Sequence, residues 1–186
     1  MLHRSQSSDA ADVAVAVNES LPELSEWMPW CHAGYSQNEA LEFITPRMQM
    51  WEERTECVFA IRGHDGLFLG TCGLNEIRHD RKAANLGYWL RTSATGRGHA
   101  TEAAELAARF GIQQLGLMRI EIVVDVDNVR SQRVAERLGA NREGVLINRL
   151  VMGDEFRDAV LYSITPETLK PESLEPESLK NARLSS

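Results

Sequence analysis

The chain has 186 residues, 43% hydrophobic and 25% charged, which suits one domain with its own core and excludes disorder throughout. Its formal net charge of -7, from 27 acidic and 20 basic side chains, is opposite in sign to a surface that tracks nucleic-acid phosphates, and it favours cationic or amine-bearing partners. No apolar run nears the roughly 18 residues that cross a bilayer. The opening MLHRSQSSDAAD holds no hydrophobic signal core. Cys31, Cys57 and Cys72 are odd in number and lack C-x-x-C spacing, and the five histidines are scattered. The expectations are a cytoplasmic protein with no membrane contact, no disulfide framework and no metal site.

Helix and strand signals alternate along the chain. Ser8 or Asp9 caps a helix running to about Asn18, and a Trp- and Pro-bearing stretch, LPELSEWMPWCHAGY, follows. Ser36 and Glu39 form a capping-box pattern that opens a helix with Ala40, Phe43, Ile44 and Met48 at helical spacing. Cys57 to Arg62 reads as a strand, His64-Asp65-Gly66 as a turn, and Leu67 to Ile77 as the hairpin partner. After a polar turn from His79 to Lys82, Ala83 to Arg91 is another strand, and a helix spans about Ala100 to Leu115. Ile120 to Val126 is apolar on both faces, as in the centre of a sheet. Asn128 caps a short helix with Val134 and Leu138 inward, which Gly139 closes. Val145 to Val151 and Asp158 to Ile164 make a last strand pair around Gly153-Asp154.

The chain then repeats a five-residue pattern three times, PETLK-PESLE-PESLK, before NARLSS. Proline at every fifth position forbids a continuous helix. Residues 166–186 are read as a tail, flexible or laid along the surface, or else as a docking segment. The folded domain is then 1–165, of mixed α/β (α+β) class, with its sheet mostly antiparallel at the ends.

The chemistry is concentrated in one strand–turn–helix passage, where Thr95-Gly96-Arg97-Gly98-His99-Ala100-Thr101 leads into the longest helix. Glycines let the backbone turn sharply and come close to a ligand. The first helical N–H groups have no internal partner and sit at the positive end of the helix dipole, so a phosphate fits there. The passage lacks the Gly-Lys-Ser/Thr of a Walker loop, and Thr101 stands where a dinucleotide fingerprint needs its third glycine. A plain strand-to-helix turn is the other reading of the two glycines.

With LGYWLR before it, GRGHATEA within it, and the Asn128-x-x-Ser131 pair and ERLGA after it, the chain resembles the GNAT N-acetyltransferase superfamily over roughly Ser8 to Thr165. Gly96, Gly98 and Ala100 match that family's diphosphate-binding pattern, with Ser93 where Gln or Arg is usual. SEWMPW and the capping box after it are similar to the RimL/RimJ-type branch that acetylates ribosomal-protein N-termini. The resemblance implies a GNAT fold, with helices on both faces of a mixed sheet whose central strands splay. It also implies acetyl-CoA as cosubstrate, held by Trp89, Leu90, Arg91, Thr95 to Thr101 and Asn128, and a homodimer. Arg130 and Arg133, flanking the short helix, meet the CoA phosphates or else are solvated, with Arg133 the candidate for the contact. The backbone at Leu90 would stabilise the oxyanion, and Ser131 would protonate the leaving thiolate. A helix-capping role is the other reading of Ser131.

The tyrosine that many superfamily members use would fall at Ala135, and the branch's glutamate at Leu150, so neither is present. Glu76 is the candidate general base, acting through water, with a solvated strand-end charge as its other reading. Trp27, Met28 and Trp30 wall the acceptor cleft or else pack the core. The implied reaction is acetyl transfer to the α-amino group of a protein N-terminus. The alternatives are a small-molecule amine acceptor (amino acid, polyamine or antibiotic) and a CoA-binding protein without turnover.

Overall fold

The computed structural model describes residues 1–169. Seven strands form one sheet: β1 (Leu2–Arg4), β2 (Cys57–Arg62), β3 (Phe68–Arg78), β4 (Ala83–Leu90), β5 (Arg119–Asp125), β6 (Asn141–Met152) and β7 (Glu155–Ile164), in the order β1-β2-β3-β4-β5-β7-β6. Every neighbouring pair is antiparallel except β4 and β5, which run parallel at the centre. The helices are α1 (Ala10–Glu19), α2 (Leu21–Leu24), α3 (Gln37–Glu52), α4 (His99–Leu115) and α5 (Val129–Arg137).

Alternate side chains of a strand point to opposite faces, and β2 divides its residues accordingly. Ala60 joins Val13, Val17 and Ile44 beneath α1 and α3. Phe59 and Ile61 join Leu74, Leu86 and Ile122 beneath α4 and α5. Helices therefore cover both faces. The face of α4 toward the sheet carries Ala103, Ala104, Ala107 and Ala108, all buried, and such small side chains let the helix lie close on the strands. Trp51 stacks edge-on against Phe59 and lies 5.6 Å from Phe110, so it belongs to the core.

Local signals placed most elements. Ser36 Oγ accepts from the Glu39 N–H, and Glu39 accepts from the Ser36 N–H, so both halves of the capping box form. Three differences arise from tertiary pairing. The short polar β1 exists because it adds to the edge of β2. The β6–β7 ladder runs on to Asn141 and Glu155, beyond the apolar runs that mark it in the sequence. The chain also remains packed past Thr165, whose N–H meets Thr168 Oγ1, while Leu169 lies against the core. The rest of the repeat, from residue 170, lies outside the described residues.

Among the described residues no helix is long and apolar enough to cross a membrane, and no group of three His, Cys, Asp or Glu side chains could hold a metal.

Candidate active site

The central strands pair only where Ala83–Asn85 faces Arg119–Glu121. Beyond that point β4 stays with β3 and β5 stays with β7, so the two diverge. A cleft of about 440 Å³ opens between them, lined by β4, the loop before α4, and α5. The phase of the β3–β4 ladder decides what it offers. The Arg91 N–H donates to Leu69 O, so Arg91 and, two residues back, Trp89 turn their backbone polar groups toward β3. Tyr88 and Leu90 turn theirs the other way, into the space that β5 has vacated.

At the far wall, Gly96 and Gly98 adopt φ of +75° and +87°, and a Cβ on either would meet no protein atom within 4 Å. The loop thus leaves a cradle that a side chain would fill. Gly98 caps α4 without any side-chain hydrogen bond, and the first backbone bond of the helix is Glu102 N–H to Gly98 O. Among the described residues, the N–H groups from Gly96 to Thr101 meet no acceptor on the chain. Arg130, Arg133 and Arg137 line the same cleft from one face of α5, and none of them pairs with a carboxylate among the described residues. Unclaimed amides, a helix N-terminus and free guanidinium groups are a donor set that fits a diphosphate ester such as that of acetyl-CoA.

Between these walls lies Ser131. Its N–H donates to Asn128 Oδ1 at 3.0 Å, so Asn128 is the cap and the serine hydroxyl is not. That hydroxyl lies 2.9 Å from Tyr88 Oη, and the same phenol donates to the Ser131 carbonyl at 3.1 Å. Burial pushes the Tyr88 phenol well above its ordinary value.

Of the residues singled out in the sequence, Trp27, Met28, Trp89, Leu90, Thr95, Gly96, Gly98, His99, Ala100, Thr101, Asn128, Ser131 and Arg133 all line this cleft. Four others do not. Glu76 stands at a left-handed bulge (φ +50°) within β3, just past Asn75 and opposite the zipped end of β4, with its carboxylate exposed. Asn85, the partner of Asn75, is five strand residues from Leu90, roughly 17 Å at about 3.3 Å per residue. A base there is out of reach of an amine at Leu90. Arg91 is turned inward, donating to Phe68 O and pairing with Glu19. Arg97 brings its amide to the loop, but its side chain is exposed outside the cleft lining. Trp30 lines a neighbouring cavity of about 230 Å³ with Tyr35, Phe43 and Trp89, so Trp89 borders both spaces, its ring against that of Trp30.

Sequence reasoning missed Tyr88, which reads as one more aromatic strand residue, and Arg137, which its i+4 spacing from Arg133 could have revealed. None of the three cysteines lines the cleft. Burial pushes the Cys57 thiol up to about 12 and raises Cys31 and Cys72 as well, while His32 is engaged with Glu39 rather than Cys31.

Residues 1–141 match the family model described as the acetyltransferase (GNAT) domain. The chain is 28% identical over 140 residues to the ribosomal-protein-serine acetyltransferase of Escherichia coli (strain K12), covering 75% of this chain and 78% of that one. It is 30% identical over 96 residues, about half of each protein (52%), to the spermidine N(1)-acetyltransferase of the same strain. Among solved structures it is similar to Mycobacterium smegmatis RimJ in complex with CoA-disulfide, with TM-score 0.85 and 26% identity, covering 92% of this chain and 84% of that one.

Proposed function

This chain belongs to the GNAT acetyltransferase family, and from that premise we propose that its acceptor is the α-amino group of a protein N-terminus, as in the ribosomal-protein branch. It is an acetyl-CoA-dependent N-acetyltransferase. The observation that supports acetyl-CoA binding is the run of unclaimed amides from Gly96 to Thr101 at the mouth of the cleft. With Arg130, Arg133 and Arg137 they would hold the phosphates, while the backbone of Tyr88 and Leu90 would hydrogen-bond the pantetheine arm and the thioester oxygen.

Acetyl transfer then needs both substrates aligned, one proton lost from the ammonium and one gained by sulfur. A free thiol has a pKa of about 8.5, so a weak donor suffices at sulfur. The Ser131 hydroxyl, freed of capping by Asn128, is assigned that role. With Glu76 remote, the ammonium proton is assigned to solvent rather than to a dedicated carboxylate.

The lining of the cleft favours a peptide over a polyamine. A polyamine calls for several carboxylates, whereas among the described residues Glu23 is the one carboxylate that lines this cleft, and it already accepts from Thr92 Oγ1. Leu24, Trp27 and Met28 give an open apolar wall suited to the first residues of a chain. In this reading residues 1–165 are the catalytic domain and 166–186 an appendage, the enzyme works in the cytoplasm, and it is a homodimer. The exposed Val145, Ile147, Val151 and Phe156 on β6 and β7 support a protein contact there.

Thiol release from acetyl-CoA, measured with ribosomal-protein N-terminal peptides, spermidine and free amino acids, tests the acceptor. Turnover with peptides is expected. Turnover with the small amines alone would move the enzyme to the other branch, and acetyl-CoA binding without release toward any amine would remove the catalytic reading.

A further inference from the structure

We propose that Tyr88 is a positioning residue for acetyl transfer: its phenol, supplied from β4, holds the Ser131 hydroxyl so that its hydrogen is presented to the departing sulfur. The proposal rests on Ser131 being the thiolate's donor, as assigned above. It is carried by the two contacts Tyr88 makes across the cleft, at 2.9 Å to Ser131 Oγ and 3.1 Å to the Ser131 carbonyl.

The hydrogen count gives these contacts a direction. A phenol has one hydrogen to donate. When that hydrogen lies on the Ser131 carbonyl, the serine hydroxyl donates into the phenol oxygen and is parked. When the phenol turns its hydrogen to Oγ, the serine hydrogen is released toward the cleft. The two arrangements differ by one hydroxyl rotation on each side. No backbone need move, because Asn128 pins the Ser131 N–H and the Gln132 N–H bonds to Asn128 O.

The transfer balances in this scheme. A bond forms between the amine nitrogen and the acetyl carbon, and the carbon–sulfur bond breaks with its electron pair left on sulfur. The Ser131 hydrogen goes to sulfur, and the proton shed by nitrogen, carried through solvent, restores the serine. Tyr88 remains neutral throughout. Its burial opposes the phenolate, which suits a fixed hydrogen-bond donor. The fold also explains why the phenol arrives from a strand. Ala135, one turn beyond Ser131 on α5, is fully buried and has no donor. Tyr88 reaches the first turn of α5 only because β5 has parted from β4 there.

Single-turnover rates at saturating acetyl-CoA isolate the transfer from product release. Ser131→Ala should slow the transfer about thirtyfold or more, within the usual reach of an acid catalyst. Tyr88→Phe should slow it about tenfold, the effect of one lost hydrogen bond, and leave the KM for acetyl-CoA within about twofold. The double variant should be no slower than Ser131→Ala, since Tyr88 acts only through that hydroxyl. Incorporation of 3-fluorotyrosine at position 88, which keeps both donor and volume, should restore at least about half of the rate and guards against a folding defect in the phenylalanine variant. An unaltered rate in Ser131→Ala overturns the serine assignment and this proposal with it. A slow Ser131→Ala beside an unimpaired Tyr88→Phe, or losses that multiply in the double variant, overturns the role of Tyr88 alone.

Discussion

The two ends of β4 are built from the same backbone and do opposite work. At Ala83–Asn85 the strand is paired on both edges, to β3 and to β5, and Ala83 and Ala84 are buried. At Tyr88–Leu90 one edge is bare, and the polar groups of alternate residues face a cleft. The first end is stable because every peptide group has a neighbour. The second is useful because some do not. In the proposed reading, an extended, amide-bearing arm binds where a ladder is left unfinished rather than on an added loop.

That contrast can be broken from either side. The largest effect is expected at the zipped end, where fully buried Ile120 lies opposite Ala84. Ile120→Ala should cost about 3 kcal/mol of stability, read from the denaturant midpoint. The folded fraction should bind acetyl-CoA as before, and weakened binding there would mean that the two ends are not separable. At the open end, Gly98→Val places a branched side chain in the cradle and in a left-handed conformation. Calorimetry should show acetyl-CoA affinity down about a hundredfold, or about 2.7 kcal/mol. A loss below about tenfold would detach the loop from the diphosphate.

A smaller effect concerns acid stability at the zipped end. The Arg119 guanidinium, and after it the Ser163 hydroxyl, hold Glu143 down to about 2 from an ordinary 4.5. A carboxylate depressed in the folded state stabilises fully above its unfolded value and loses that contribution as pH falls. The thermal midpoint should therefore drop between about pH 4.5 and pH 2, and Glu143→Gln should flatten the drop. Equal slopes in the two proteins would show that the pair is fully screened by solvent. The smallest change is expected from Glu76→Gln, with kcat within about twofold of the parent enzyme. A tenfold fall would return Glu76 to the mechanism despite its distance.

Local signals carried the sequence reading far. The Ser36–Glu39 box, the Asn128 cap and the Gly96/Gly98 turn are each written within a few residues, and each formed where expected. What escaped depends on pairing between distant segments. Tyr88 and Ser131 are 43 residues apart, and nothing in LGYWLR says which aromatic ring crosses the gap. Leu90 is named through the resemblance, but the residues of LGYWLR do not themselves say that Tyr88 and Leu90, rather than Trp89 and Arg91, turn their amides to the cleft. That is decided by the β3–β4 register, which the sequence leaves open. The distance of Glu76 from the cleft is hidden for the same reason. A strand end is visible in the sequence, but the direction in which the sheet opens is not.

Position 70 shows how little slack that register has. A Cβ added to Gly70 would lie 2.1 Å from the Trp89 carbonyl oxygen and 2.8 Å from the Leu90 Cα, both backbone atoms that no rotamer change can clear. Even alanine there would push β4 off β3 and shift the peptide at Leu90. A saturation library of this enzyme should therefore return only glycine at residue 70, even though that residue does not line the cleft.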